Sequence, residues 1–550
     1  MLKILAIVAG AALLRAFSLP GWFDFALPWM VIPAIVLRIE MLNMHLKWRY
    51  EYLCGVIFWL FAFGFLHNVN ILAVPGAAII MGATFIVEAW VFRKLRSKYS
   101  AATAACFALP ACEFVRMKWF YLAVGGVPWA SYGFPLADSS LLPLASSIGE
   151  SGLVILTVCL AATLYSWWRR SASTASLLSV LVLTGAVATT RPVPTPLSSL
   201  NCLVIQPSIG VHQKNDKMYA EEFFQIQYDL SVAGMRAHPQ FDLMLWAETM
   251  WPLPAVDEGV AGEIRRPWPG EDDEVIDSAK MASLQRQMVA KLMASAPEGC
   301  YLLTGSHFYH TAKAGEYSDR STDFILFSKD GELLQHFSKR KLVPFGETLP
   351  FRNNFPGSEY ICDLAQKYFG LRPDFVIPEG AGPLQPRKNL PALGGAVCWE
   401  NVFEQPFRSQ ADSGATAFAI LSNEDWLGAD GLEMTQMLSA SKLRSAETGR
   451  YLLRATNTGQ SCVVAPSGSI DMGPKIREKA FWLAKLPVVA ADSATNYQRY
   501  GWLLAPLWAL ICLIMLVDNV LCQRRLDLSL ANKKIFLSNP PTIRHGGPKL

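Results

Sequence analysis

Apolar and polar positions divide this chain into three stretches. From residue 2 to about 190 apolar residues dominate, with candidate bilayer spans at 2–19, 22–39, 51–67, 71–92, 101–115, 151–168 and 174–190. One further apolar run covers 500–522. A helix needs about 20 apolar residues to cross a bilayer, so the run at 101–115 is short, and the run at 2–19 carries Arg15 in its interior. Between 200 and 495 the period changes. Short β-rich runs at 202–205, 242–246, 301–304, 323–327, 395–398 and 417–421 alternate with helical patterns near 217–237, 276–297, 402–411 and 432–449. That alternation predicts layered sheets with helices outside. Two stretches, 252–275 and 344–390, are rich in Pro, Gly and aromatics and read as long lid or binding loops. The expected organisation is a bundle of about seven transmembrane helices over 1–195, an α/β domain over 196–497, a last span over 498–523 and a solvated tail over 524–550.

Charge gives the bundle an orientation. With the N-terminus cytoplasmic, the intervals after even-numbered spans carry Arg38, Lys47 and Arg49, then Arg93, Lys94, Arg96 and Lys98, then Arg169 and Arg170, then Arg524, Arg525, Lys533 and Lys534. The intervals Ser18–Gly21 and His67–Asn70 carry no Lys or Arg, and 116–150 has Arg116 and Lys118 only at its start. Loop cations favour the cytoplasmic side. Seven spans then put the α/β domain outside, in the periplasm of a bacterial inner membrane, and the C-terminus inside. The averages of 52% hydrophobic and 17% charged residues are a blend of these two halves. The first apolar run leads into further spans and not into a polar mature start, so it does not read as a cleaved signal.

The same counts exclude several classes. Basic and acidic residues number 49 and 45, a net charge of +4 that gives no footprint for nucleic acid. The eleven cysteines include no C-x-x-C pair and the eight histidines no H-x-x-x-H spacing. Neither a disulfide scaffold nor a metal site is expected, and no cofactor is implied.

Candidate chemistry lies at the ends of predicted strands. Glu248 follows the run 242–246, Cys398 closes the run 395–398, and Lys339 opens the string Lys339-Arg340-Lys341-Leu342-Val343-Pro344-Phe345-Gly346-Glu347. Together they suit acyl transfer. A thiol attacks a carbonyl once a base removes its proton, a carboxylate can carry that proton, and an ammonium can face the developing oxyanion. The backbone N–H of Trp399 is a second candidate donor. Taken singly, each has a plainer explanation: a packed cysteine, a capping glutamate, a solvated basic run. Two carboxylates, Glu88 and Glu113, fall inside predicted spans, where ionisable groups are expensive. Glu113 stands three residues before Arg116, the spacing of a local helical pair. Trp119-Phe120-Tyr121 and Val127-Pro128-Trp129 suit a membrane interface.

In these strings the chain resembles the apolipoprotein N-acyltransferase family, the membrane-embedded branch of the nitrilase or carbon–nitrogen hydrolase superfamily. The family's K-x-x-L-V-P-F-G-E is Lys339 to Glu347, its C-Y-E is Cys398-Trp399-Glu400, and its S-N-D-x-W-F-G is Ser422-Asn423-Glu424-Asp425-Trp426-Leu427-Gly428. Its R-x-L-L-R-A-T-N-x-G matches Arg450, Leu452-Leu453-Arg454-Ala455-Thr456-Asn457 and Gly459. Glu113-Phe114-Val115-Arg116 and Gly126-Val127-Pro128-Trp129 extend the likeness into the bundle.

The resemblance implies a nitrilase-like α-β-β-α sandwich with a Glu248–Lys339–Cys398 triad. It implies transfer of an acyl chain from a membrane phospholipid to the N-terminal amine of a diacylglyceryl-cysteine apolipoprotein, through a thioester on Cys398. Glu347 and Glu400 match further glutamates that the family requires, and Trp399 and Trp426 stand at matched positions that support or bind substrate. The chain also departs from the pattern. Trp399 replaces tyrosine and Ala247 replaces a proline. Gln206-Pro207-Ser208 replaces Q-G-N, and a usual tryptophan is missing from His212–Asp216. A membrane-tethered amidase, and a conjugal-transfer-type paralogue with another acceptor, are alternatives with the same triad. A non-catalytic envelope scaffold would have no use for it.

Overall fold

The structure is a computed structural model. It describes residues 1–538 except 24, 120–125, 172, 211–219, 258–261, 267–273, 311–317, 350–351, 353–355, 370–371, 379–381 and 429–430. Phe120-Tyr121, His212–Asp216 and the last twelve residues of the tail, 539–550, therefore lie outside the described residues.

Proline decides where the first apolar runs break. Helix α1 (Leu2–Ser18) ends as Leu19 turns extended ahead of Pro20, the conformation that a following proline imposes. The chain re-enters a helix through a short turn, Pro28–Met30, with proline at its first position. Helix α2 therefore spans only Val31–Asn43, not 22–39. Arg38 then falls inside α2 and not on its cytoplasmic flank. It is buried, ion-paired to Glu51 and, at 3.0 Å, to Glu88.

The bundle continues with α3 (Trp48–Ala62), α4 (Ala73–Arg96), α5 (Ala101–Trp119), α6 (Ala145–Trp168) and α7 (Ala175–Thr189). Among the described residues, three stretches are long and apolar enough to cross a membrane: Ala73–Arg96, Leu142–Trp168 and Gly501–Cys522, with mean hydropathy 1.7, 1.7 and 2.1. Ala175–Thr189 is a shorter apolar helix. The protein is thus embedded in a membrane by apolar helices. Its charges inside the bundle are neutralised in place. Glu113 binds Arg15 at 2.6 Å and also Arg116, while Glu51 binds Arg93 at 2.7 Å. The Tyr132 hydroxyl donates to Glu88 at 2.9 Å. Buried charges persist only when paired.

The second half consists of strands β1 (Ser198–Gln206), β2 (Leu243–Trp246), β3 (Glu263–Arg266), β4 (Glu274–Asp277), β5 (Tyr301–Tyr309), β6 (Arg320–Ser328), β7 (Leu333–Ser338), β8 (Leu393–Val397), β9 (Ala417–Ser422), β10 (Leu452–Thr456), β11 (Cys462–Val464), β12 (Ile470–Met472) and β13 (Ala480–Val488). Helices α8 (Ala220–Ala237), α9 (Ser278–Leu292), α10 (Ser358–Phe369), α11 (Glu404–Asp412), α12 (Leu432–Thr448) and α13 (Asn496–Arg499) intervene, and α14 (Leu504–Ser538) follows. One sheet has the order β13-β1-β2-β5-β6-β7 and the other β12-β11-β10-β9-β8. Strand alternation makes the layers. Cys202 and Val204 of β1 meet Leu421 and Leu453 of the second sheet, whereas Leu203 and Ile205 meet Phe223 of α8 and Leu292 of α9. Ala396 and Ile420 pack on Phe407 of α11. The result is an α-β-β-α sandwich. Its sheets contain all six expected strands. The expected loop 344–390 contains α10, and the expected loop 252–275 contains β3 and the start of β4, which pair antiparallel. Helix α14 runs on to Ser538, so the expected tail begins helical.

Both halves share a seam. Arg444 of α12 is 1% exposed and reaches Glu150 of α6 at 2.7 Å and Glu447 at 3.2 Å. Glu447 accepts the Glu150 backbone N–H at 2.7 Å. Ser131 donates to Glu150 at 2.6 Å. Helix α6 bends there: Gly149 has φ +65, and a Cβ on it would lie 2.3 Å from the Tyr497 ring. Arg444→Ala leaves two buried carboxylates without their cation, a loss of roughly 3–5 kcal/mol. We expect a clearly lowered unfolding temperature in detergent, read by intrinsic fluorescence, with Arg444→Lys intermediate.

Candidate active site

Three strand ends converge. Glu248 follows β2 by one residue after Ala247. Lys339 directly follows β7, and its backbone N–H is held by the Thr322 carbonyl of β6 at 2.8 Å. Cys398 directly follows β8 and opens a 3-10 turn, Cys398–Val402. The approach is close: a Cβ on Gly305 of β5 would lie 2.8 Å from the Glu248 Cα, so only glycine lets the Glu248 backbone sit there. Left-handed backbone marks the site. Thr249, Phe345 and Cys398 have φ +49, +64 and +49. Such non-glycine residues carry strain that surrounding contacts must hold.

Lys339 is fully buried, and its Nζ donates to Glu347 Oε1 at 2.8 Å and to Glu248 Oε1 at 3.4 Å. Burial alone would lower the ammonium's pKa. The carboxylates of Glu347 and Glu248 outweigh it and hold Lys339 well above the usual lysine range. Both carboxylates are tied on their other oxygens. Glu248 Oε2 accepts the Asn423 N–H at 2.9 Å, and Glu347 Oε2 accepts the Val343 N–H at 2.8 Å. Burial pushes the Cys398 thiol well above the usual cysteine value, and the charge of Glu248 adds to this while Lys339 opposes it.

Glu400 ties two of these strand ends together. Its Oε1 accepts the backbone N–H groups of Arg340 at 2.7 Å and Lys341 at 3.2 Å, and its Oε2 that of Val397 at 3.0 Å. Burial raises its pKa even against those donors. Trp399 leaves the sandwich and stacks on Trp129 of the bundle, centroids 5.6 Å apart and planes 13° apart. Trp129 also packs on Phe65 at 5.3 Å. Trp426 is half-buried in the turn Glu424–Leu427. That turn also faces the bundle, where Asn68 donates to the Leu427 carbonyl at 2.8 Å. The site therefore lies against the seam with the membrane half.

Two supports had no assigned role in the sequence. Asn423 holds Glu248 and accepts a hydrogen bond from the Asn457 amide at 2.9 Å. Arg454 of β10 pairs with fully buried Glu424, one residue beyond Asn423. Both lie inside quoted strings: Asn423 directly follows β9, and Arg454 stands mid-strand in β10. Among the described residues no group of side chains could hold a metal ion.

The family model for carbon-nitrogen hydrolase matches residues 208–491, which contain all three converging side chains. The chain belongs to the carbon-nitrogen hydrolase family. Among curated relatives, this family member is 25% identical to the apolipoprotein N-acyltransferase of Coxiella burnetii, over 86% of this chain and 90% of the relative. It is 26% identical to that of Methylococcus capsulatus, over 68% of this chain and 66% of the relative. A solved amidase from Nesterenkonia sp. aligns at 16% identity over 56% of this chain and 99% of its own, with a TM-score of 0.36.

One charge beside the site sets a pH dependence. His336, three residues before Lys339, sits between Asp323 at 2.6 Å and Asp257 at 3.4 Å, stacked 4.0 Å over Phe308. Burial would lower its pKa, but the two carboxylates raise it from 6.5 to about 9. Stabilisation by a raised histidine is full below the unfolded value and is lost as pH rises through the folded one. We expect the unfolding temperature to fall between about pH 6.5 and 9, and His336→Gln to lower it at pH 6 and flatten that slope.

Proposed function

We propose that this protein is a membrane-embedded N-acyltransferase that moves an acyl chain from a phospholipid to the N-terminal amine of a diacylglyceryl-cysteine apolipoprotein. The observation that carries the reading is a fully buried Lys339 bridging Glu248 and Glu347 beside a strained Cys398, at a seam lined by bundle aromatics. The named N-acyltransferase relatives match both halves of the chain, which supports transfer over hydrolysis by a soluble amidase.

In the proposed cycle Glu248 takes the Cys398 proton as sulfur attacks the phospholipid ester carbonyl. The tetrahedral oxyanion faces the Lys339 ammonium, which has three N–H groups and commits two of them to carboxylates among the described residues. Collapse breaks the C–O bond, Glu248 protonates the departing lysophospholipid oxygen, and a thioester remains. The lipoprotein amine then attacks the thioester. Its proton passes to Glu248 and on to the cysteine sulfur as the C–S bond breaks. Glu347 holds the lysine, and Glu400 holds the lysine segment against the nucleophile turn. Trp399 and Trp426 line the side from which lipid substrates enter.

Anchored substrates explain the membrane half. Extracting an acyl chain costs about 0.8 kcal/mol per CH₂, and a sandwich standing on its own bundle avoids that cost. The sandwich lies on the periplasmic face of the bacterial inner membrane and the C-terminus in the cytoplasm.

Cys398→Ala is expected to abolish the hydroxylamine-sensitive adduct formed with labelled phospholipid, and Glu248→Gln to slow its formation by at least a hundredfold. A full-strength adduct in the alanine variant rules out the assignment. Wild-type protein that forms the adduct but fails to complement a strain depleted of its own N-acyltransferase indicates a different acceptor. Accessibility tags at the C-terminus and in 252–275 should report opposite sides of the membrane.

A further inference from the structure

Away from the converging strand ends, a cavity of about 280 Å³ opens at the rim where both halves meet. Its wall includes Pro143, Ser146, Arg191, Ser467, Asp492 and Arg499. It is distinct from the candidate active site. Asn401, in the nucleophile turn, binds the Met437 carbonyl of α12, whereas the cavity touches the same helix at Ala446 and its end at Gly449. Nine residues of helix separate Met437 from Ala446, roughly 14 Å.

The cavity lies level with three helix ends: the start of α6, the end of α7 and the approach to α14. They are tied together, since Asn496 donates to the Thr189 carbonyl and the Ser147 and Thr190 hydroxyls are 3.1 Å apart. Tyr500 is 70% exposed and Trp502 37%, rings of the kind that settle at lipid headgroups. Below Arg191, α7 turns Leu177, Val180, Leu181 and Val187 outward, each more than half exposed.

Two exposed arginines at this rim call for an explanation. The opposite end of the bundle carries the flanking cations expected there, Arg93, Lys94, Lys98, Arg169 and Arg170. On the sandwich side Arg116 and Lys118 are paired with Glu113 and Glu404. Arg191 and Arg499 form no ion pair among the described residues. A third guanidinium, that of Arg450, lies behind the wall and donates to the Ser493 carbonyl at 2.6 Å and the Ala491 carbonyl at 3.0 Å. Asp492 is the acidic lining residue, and its charge acts on Arg450. A guanidinium pair beside this wall suits a phosphate, whose oxygens accept forked N–H donors.

We propose that this cavity binds the phosphate of a membrane phospholipid through Arg191 and Arg499, with the acyl chains lying along the exposed face of α7. The bound lipid splints the seam between bundle and sandwich. This proposal requires membrane embedding and does not rest on the acyl-transfer reading.

The test uses full-length protein, delipidated in detergent, and native mass spectrometry. Phosphatidylglycerol, diacylglycerol and inorganic phosphate are added in separate arms. Wild type should retain phosphatidylglycerol and gain thermal stability from it, and R191Q/R499Q should bind it at least tenfold more weakly. Diacylglycerol should not bind here, and millimolar inorganic phosphate should not displace the lipid. Equal lipid retention by wild type and double variant overturns the proposal. So does retention of diacylglycerol that the variant loses equally, or saturation by inorganic phosphate without lipid. Adduct formation at Cys398 should be unchanged in R191Q/R499Q; its loss there would assign the arginines to the donor site and overturn a separate one. Should wild type form no adduct, the acyl-transfer reading fails while the difference in lipid retention still decides this one.

Discussion

A lysine ammonium with no exposure to water organises the catalytic half. An isolated cation in the interior is prohibitively costly, so carboxylates must come to it. Glu347 and Glu248 do so, and each brings a further demand, because a buried carboxylate has two oxygens to satisfy. The Val343 and Asn423 backbone N–H groups meet that demand. One buried charge thus fixes the end of β2, the end of β7, the 343–347 turn and the residue after β9 relative to one another. Glu400 repeats the device on the other side, joining the β7 end to the β8 end through three backbone N–H groups. The left-handed Thr249, Phe345 and Cys398 are held within this mesh, whose rigidity offsets their strain.

The membrane half obeys the same rule with a different result. Its arginines and glutamates pair inside the bundle, and there they fix loops as well as helices. Arg116 donates to the Val127 and Trp129 carbonyls at 2.6 and 2.9 Å, and Arg15 to the Ala130 carbonyl at 3.1 Å. The loop so held presents Trp129 to Trp399. Aromatic stacking of this kind contributes about 0.5–1.5 kcal/mol beyond burial. It couples the residue next to Cys398 to charges lodged between membrane helices.

How far the sequence carried this depends on which interactions are local. The alternation of short β-rich runs with helical patterns revealed layered sheets with helices outside, and the family resemblance supplied the α-β-β-α order. β1 and β9 are apolar on both faces, because each is buried between the facing sheet and a helix layer. Two strands, β13 at a sheet edge and β10 at a sheet centre, were less legible. β13 alternates imperfectly, its outer face half-solvated, and β10 hides inside the Arg450–Gly459 string, where buried Arg454 breaks the apolar pattern. α10 was hidden by its setting among prolines and glycines, although its own sequence is strongly two-faced. In the bundle, Arg38 was read as a flanking charge, since nothing local reveals that its partners stand 13 and 50 residues away. Glu113 and Arg116, three apart on one helix, were legible for the opposite reason. At the site, the residue types of Glu248, Lys339 and Cys398 stood out by position at strand ends, but the holding role of Asn423 is a backbone contact that no side-chain pattern encodes.

Protonation ties these constraints to reactivity. Burial and the negative charge of Glu248 push the Cys398 thiol up, with Lys339 in opposition. If Glu248 is the base, the proton transfer removes one of the two influences that opposed it: a neutral Glu248 no longer repels the new thiolate, while Lys339 still attracts it. The transfer also leaves the total charge of the three groups unchanged, so the buried site has no net ion to solvate as chemistry begins. If Cys398 is the nucleophile, a raised thiol protects it between turnovers, because a standing thiolate is open to adventitious acylation and oxidation.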